Sequence, residues 1–220
     1  PSCGANVVIN HAVTGNTTTS VNNLTINTGG TLTSNNPLTV GGTFTINGTG
    51  TYVHNNTGDA STTIFAGTES FSTTSTLRML QWYDTNIPLA TNVTGNFGHI
   101  IFDEGNQWDQ DGLFSPNRIK GNLTIASGGI VMDDGTGMTT TLTLQDVTMT
   151  GDGCLRMAEG TNRNLTLVTN NYSDLRTSGS IFYSGIQFNC AGTVNWTVNG
   201  NVAIAASWSY FEGTGTTPGN

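Results

Sequence analysis

Charge is scarce in this chain, and lysine is scarcest. Lys120 is the one lysine, and charged residues make up 9% of the 220 positions, against the ~25% of an ordinary globular domain. Long amphipathic helices keep Lys, Glu and Arg on their wet face, so an all-β fold is expected. Arg78, Arg118, Arg156, Arg163 and Arg176 are scattered and the net charge is −8. Phosphate contacts need clustered cations, so nucleic acid is excluded as a partner. No apolar run approaches the ~20 residues of a membrane-spanning helix, and membrane insertion is not expected. The opening Pro1-Ser2-Cys3 has neither an initiator methionine nor a signal peptide, which predicts a removed signal or an excerpt of a longer polypeptide. Three cysteines cannot all pair within one chain. A disulfide between Cys154 and Cys190 and two buried apolar thiols are the alternatives, and Cys3 is either a thiol or paired elsewhere.

What is abundant is threonine, asparagine and glycine: 40, 26 and 29 residues. Threonine favours strands, and Asn and Gly favour tight turns that need positive φ. Residues 23–55 show how they are used. Asn23-Leu24-Thr25-Ile26 runs to Gly29-Gly30, then Thr31-Leu32-Thr33, Leu38-Thr39-Val40, Gly41-Gly42, Thr43-Phe44-Thr45-Ile46, Asn47-Gly48 and Thr51-Tyr52-Val53-His54-Asn55. Alternation of period two puts Leu24, Ile26, Leu32, Leu38, Val40, Phe44 and Ile46 on one face and the threonines on the other. The theme returns at Gly121-Asn122-Leu123-Thr124-Ile125, with Gly128-Gly129 closing it, and again at Asn164-Leu165-Thr166-Leu167. The first two copies lie 99 residues apart and the third follows by 42, which predicts two coils of about 21 residues between them.

Strands this short, turning this often, predict a parallel β-helix (β-solenoid) of about ten coils with irregular loop insertions, a rod roughly 50 Å long at ~4.8 Å per coil. Corner asparagines are expected to form ladders along the axis. A β-sandwich also uses many short strands, but sandwich strands do not repeat one phrase. The expected organisation is a single domain over 1–211, regular over 1–56, irregular over 57–98 and regular again over 99–211, with 212–220 a linker or frayed tail. Leu77-Arg78-Met79-Leu80-Gln81-Trp82-Tyr83 is the one run suited to a helix or bulky insertion.

Asn-Asn-Leu-Thr-Ile-Asn-Thr-Gly-Gly-Thr-Leu-Thr, Leu-Thr-Val-Gly-Gly-Thr-Phe-Thr-Ile-Asn-Gly and Gly-Thr-Tyr-Val-His-Asn resemble the Thr/Asn/Gly-rich repeats of large secreted surface proteins and adhesins of Bacteroidota-type bacteria. The resemblance covers 1–56 and 118–150 best and 164–205 less closely. It implies parallel β-helices, a location at the bacterial cell surface and often type IX export, although no sorting domain is recognisable within these 220 residues. It transfers no catalytic motif. The expected function is a non-enzymatic extracellular structural or adhesive segment that continues into more chain or self-associates into filaments.

Carbohydrate binding or cleavage is the alternative. Trp82, Tyr83 and Trp108 are the aromatic candidates for stacking on a sugar, with Asp109 and Asp111 beside Trp108 as hydroxyl acceptors. Asp103-Glu104 and Asp109-Gln110-Asp111 also offer the hard oxygens that Ca²⁺ takes; the bland reading is a solvated acidic loop anchored by Trp108. Gly98-His99, Arg118-Ile119-Lys120 and Asp133-Asp134 match pieces of polygalacturonase-type hydrolases. In that family the acids come first and an Asn-Thr-Asp element is present, so coincidence is expected. A calcium-dependent lyase, which needs a base to abstract a proton, fits less well still. No catalytic residues are assigned, and His11, His54 and His99 share no metal-ligand spacing. Each histidine is expected to end or edge a strand, and Trp196 and Trp208 to serve packing. Thr31-Leu32-Thr33, Thr43-Phe44-Thr45 and Thr141-Leu142-Thr143 have the Thr-x-Thr form of ice-binding solenoids, at spacings of 12 and 98 that are not one coil. Sequons at Asn23, Asn47, Asn122, Asn164 and Asn195 follow from the Asn/Thr bias.

Overall fold

The computed structural model describes residues 4–56, 67–81, 95–109, 118–132, 139–178, 185–205 and 210–213. Its secondary structure is all strand, with no helix among the described residues, and every strand pairing with a recorded register is parallel. The described contacts group into two compact units, Pro1–Ile101 with Ile119–Gly121, and Phe102–Arg118 with Asn122–Asn220.

In the first unit the chain visits three columns in turn. β1 (Asn6–Ile9), β4 (Asn23–Ile26), β7 (Thr43–Ile46) and β9 (Thr68–Phe71) form one sheet. β2 (Ala12–Gly15), β5 (Thr31–Ser34), β8 (Thr51–Asn55) and β10 (Thr76–Gln81) stack in the second, and β3 (Thr19–Val21) pairs with β6 (Leu38–Val40) in the third. The alternation read from the sequence is the reason these strands form. Leu24, Ile26, Leu32, Leu38, Val40, Phe44 and Ile46 are all buried, while Thr25, Thr31, Thr33, Thr43 and Thr45 are half-buried on the other face. In-register pairing places Leu24 beside Phe44 and Ile26 beside Ile46, so large side chains fill the interior in continuous rows. Leu77–Gln81 is a strand, not a helix: Leu77 and Met79 are buried, and Leu77 stacks on Tyr52. Trp82 and Tyr83, the end of that run, lie outside the described residues.

The second unit uses fewer, longer strands. β11 (His99–Asp109) ends there, followed by β12 (Leu123–Val131), β13 (Thr139–Met149), β14 (Cys154–Asp174), β15 (Gly185–Val198), β16 (Val202–Ile204) and β17 (Tyr210–Gly213). β14 bends at irregularities between Arg156 and Ala158 and between Thr161 and Asn164, and one strand thereby serves several columns. Its Cys154–Arg156 end pairs with Gly129–Val131 of β12, its middle with β13 and β15, and its Tyr172–Asp174 end with β16. Leu142 stacks beside Leu167, and Val147 beside Tyr172, all buried.

The register corrects the expected repeat. Corner contacts in the first unit join residues 17 and 20 apart, but those in the second join residues 24, 25 and 30 apart. The 42-residue interval is therefore not two coils of 21. Leu123 stacks on Val147, whereas Leu165 belongs to another column, between Thr140 and Val194. The 99-residue repeat does mark equivalent corners. Gly29 and Gly128 have φ of 76° and 75°, a left-handed conformation that glycine adopts at little cost.

Candidate functional site

The corners and outward faces hold the repeated polar groups. Asn23 Nδ2 donates to Asn6 Oδ1 at 2.8 Å, and Asn23 Oδ1 accepts the Thr43 backbone N–H at 2.7 Å. A second ladder runs from Asn47 Nδ2 to Asn27 Oδ1 (3.0 Å) and from Asn27 Nδ2 to Asn10 Oδ1 (2.7 Å). A third joins Asn55, Asn35 and Asn16 at 2.8 Å each. In the second unit Asn122 Oδ1 accepts the Asp146 N–H at 3.3 Å, Asn171 Nδ2 donates to Asp146 Oδ1 at 2.8 Å, and Asn171 Oδ1 accepts the Asn201 N–H at 2.9 Å. Asparagine suits these corners because one side chain both donates and accepts along the stack. At the sequons Asn23 and Asn47, a glycan would have to share the nitrogen that holds the ladder.

Hydroxyls line the faces between corners. Thr31, Thr51 and Thr76 stack in one column, and Thr25, Thr45 and Ser70 in another. The Thr-x-Thr triplets do not share a face. Thr31–Thr33 lies in β5 and Thr43–Thr45 in β7, which belong to different sheets. Thr141-Leu142-Thr143 stacks on Thr166-Leu167-Val168.

Trp82, Tyr83 and Asp111 lie outside the described residues. Trp108 and Asp109 end β11, and their side chains lie outside as well. Asp103 and Glu104 stand half-buried on β11. Among the described residues no group of three or more His, Cys, Asp and Glu could hold a metal ion. The hydrolase-like fragments are closer together than their order in the sequence suggests. Phe97 bridges to Ile119, the Lys120 N–H donates to Phe97 O, and the Gly121 N–H to Gly98 O, so Gly98-His99 lies beside Lys120-Gly121. Asp133 and Asp134 fall outside the described residues. Cys154 is a buried thiol beside Gly129. Cys190 sits beside Gly160, six residues farther along β14, so the two cysteines are not stacked neighbours.

Two buried polar groups carry no motif. His54, expected at a strand edge, is 1% exposed inside β8, and its Nδ1 lies 3.2 Å from the Tyr52 hydroxyl. Asn56 Nδ2 donates to Ser34 O, and Ser34 Oγ to Asn36 O. In the second unit Asp174 accepts two bonds from Arg176, at 2.8 and 2.7 Å, with both side chains buried. Tyr172 lies edge-on to Trp196 at 4.8 Å, and Trp196 Nε1 donates to Thr169 Oγ1. The sequence signal for both groups is parity: Tyr52 and His54, like Tyr172 and Asp174, are two apart and share the inward face.

These tyrosines set an alkaline limit on the fold. Burial raises the Tyr52 hydroxyl pKa, against a smaller lowering by its bond to Ser34. Burial raises that of Tyr172 as well, reinforced by the Asp174 charge and opposed by Arg176. A pKa raised in the folded state means that the native protein holds these protons more tightly than the unfolded chain does. Their contribution is complete below the unfolded value of about 10 and is lost as pH rises above it, by up to ~1.4 kcal/mol per pH unit per tyrosine. The guanidinium unfolding midpoint should hold steady from about pH 7 to 9 and fall above about pH 10; a flat profile through pH ~11 would mean that both hydroxyls are solvated. Comparison with known protein families, curated proteins and solved structures finds no match to the chain.

Proposed function

We propose that the chain winds as a parallel β-helix and serves as a non-enzymatic, extracellular structural or adhesive segment at a bacterial cell surface. One observation carries the reading: strands stack parallel and in register on later strands of the same chain, with Asn ladders at the corners. The order in which the first unit visits its three columns supports closure of each coil. The corner contacts join residues 17 to 30 apart, a spacing compatible with about ten turns over the 220 residues. Such a stack resists stretching because pulling it apart means breaking backbone ladders and uncovering the apolar rows together. Its uncharged hydroxyl and amide columns suit hydroxyl-rich surface glycans better than polyanions.

A polysaccharide-cleaving helix is the second reading, favoured by the placement of His99 beside the Lys120-Gly121 backbone. One experiment separates the two. Antibodies raised against the folded chain should label intact producing cells without permeabilisation, and the purified chain should release no oligosaccharide from acidic polysaccharides. Label seen only after permeabilisation would remove the surface reading. Sugar release that is abolished by His99→Ala would replace it with the enzymatic one.

A further inference from the structure

We infer that the outward face shared by β13, β14 and β15 is a binding surface for a neutral, hydroxyl-rich glycan chain laid flat upon it. The inference rests on the surface reading above and gives that reading a ligand class and a place. Within the second unit, Asn164–Thr169 of β14 pairs without a break with Thr139–Leu144 of β13 on one side and Thr193–Val198 of β15 on the other. Leu165, Leu167 and Thr169 are buried, so the residues between them point outward. Unbroken register sets the outward side chains in straight columns. Thr141, Thr166 and Asn195 form one column, and Thr143, Val168 and Thr197 the next. Asn164 stands beside Thr193. Thr141, Thr143 and Asn164 are exposed, and Thr166 and Val168 half-buried.

No residue in these columns is ionisable, in a chain whose net charge is −8. Along β13 the first ionisable side chain is Asp146, which sits at the corner and accepts from Asn171 Nδ2. A neutral ligand therefore desolvates no charge here. An acidic polysaccharide would meet the field of the whole chain with no cation in the columns to offset it.

Asparagine is a poor strand former, yet Asn164 and Asn195 lie within strands. Other asparagines serve the corner ladders, as Asn27 and Asn171 do. Among the described residues the Asn164 and Asn195 side chains take no such bond. Each keeps two donors and an acceptor, which suits neighbouring hydroxyls of one sugar. Asn170 marks the border, because its Nδ2 is already held by Gln145 Oε1 at 2.6 Å. Outward residues lie ~6.6–6.8 Å apart along each strand, and strands ~4.8 Å apart. An extended β-linked glycan advances per sugar by close to one strand spacing, so a chain running along the stack offers hydroxyls to each strand in turn. Val168 and the threonine methyls add apolar contact to the rings. Ice would be met by a repeated threonine, and here Asn195 and Val168 each interrupt a column.

The test uses the 220-residue chain made in a host that does not glycosylate, because Asn164 and Asn195 both begin sequons. Electrophoresis through gels containing a β-glucan, a β-mannan or an unsubstituted β-xylan should retard it in at least one, and polygalacturonate should not. Asn164→Thr combined with Asn195→Thr should weaken the apparent affinity at least ~10-fold. The unfolding midpoint of that variant should stay level or rise, since threonine is the better strand residue. Thr166→Glu, at the centre of the face, should abolish retardation. Ser70→Glu, outward on β9 of the first unit, should leave it unchanged. Free passage through all three neutral gels, or equal loss from Ser70→Glu, overturns the inference. Faceting of ice crystals by the wild type but not by Thr166→Glu, without retardation in any gel, would give the face to ice instead. Labelling of intact cells without retardation would remove the glycan face alone; retardation of a chain that labels only permeabilised cells would remove the surface reading alone.

Discussion

Replacing Arg176 with methionine is expected to cost the fold about 3–5 kcal/mol, the range for removing one partner of a buried ion pair. The guanidinium and the Asp174 carboxylate are 0% and 1% exposed and meet through two bonds, Nε to Oδ1 at 2.8 Å and Nη2 to Oδ2 at 2.7 Å. Burial by itself would lower the Arg176 pKa; the bonds and charge of Asp174 outweigh it and raise it. Methionine fills similar volume but leaves a carboxylate in an apolar interior, against Tyr172 and under β16. Asp174→Asn combined with Arg176→Met should recover a large share of the loss, because no net charge then stays buried. Urea unfolding of wild type, both single variants and the double closes the cycle. A loss below about 1 kcal/mol for Arg176→Met, the size of an exposed pair, would mean that this corner is open to water.

That pair shows where sequence reading stops. The strands were legible because alternation is local: Leu24, Ile26, Phe44 and Ile46 can be assigned to the core from their neighbours alone, and all are buried. The turns were legible for the same reason, since Gly29 and Gly128 occupy equivalent phrases and have the same positive φ. Register was not legible. It depends on how many residues each corner absorbs, and the corners of β14 take irregularities that no local pattern marks. This is why Asn164-Leu165, spelled like Asn122-Leu123, lies in a different column. Asp174 and Arg176 look like loop charges because they follow Tyr172 where the apolar alternation ends. His54 reads as a strand end for the same reason, yet Tyr52 draws it inside. Of the aromatic site predicted from Trp82, Tyr83, Trp108, Asp109 and Asp111, only the backbone of Trp108 and Asp109 falls within the described residues.

Phe44→Ala is the second large effect, at about 3–5 kcal/mol for a phenylalanine truncated in a core. Phe44 is 1% exposed and lies edge-on to two rings, Tyr52 at 5.3 Å and 84° and Phe71 at 5.1 Å and 83°. Edge-on pairs add about 0.5–1.5 kcal/mol beyond area, and alanine removes both contacts. The site cannot collapse freely, because Leu24 and Glu69 are held on either side by strand register. Glu69 is itself 6% exposed, so the vacated space borders a buried carboxylate and would admit water, unlike a dry apolar cavity. Phe44→Leu keeps most of the volume and should cost much less, which separates lost filling from lost rings. Because stacked repeats hold one another through nearest-neighbour contacts, the damage should spread outward from β7. The amides of Asn47 and Ser72, bonded to Ile26 O and Ile46 O on either side of it, should lose exchange protection before that of Asn22, bonded to Ala5 O on β4's far side. A fall in the denaturant midpoint at unchanged slope, with that order of exchange, is the expected result. Uniform loss across all these amides would instead mean that the rows unfold as one block, with neighbour contacts too strong for a single coil to open alone.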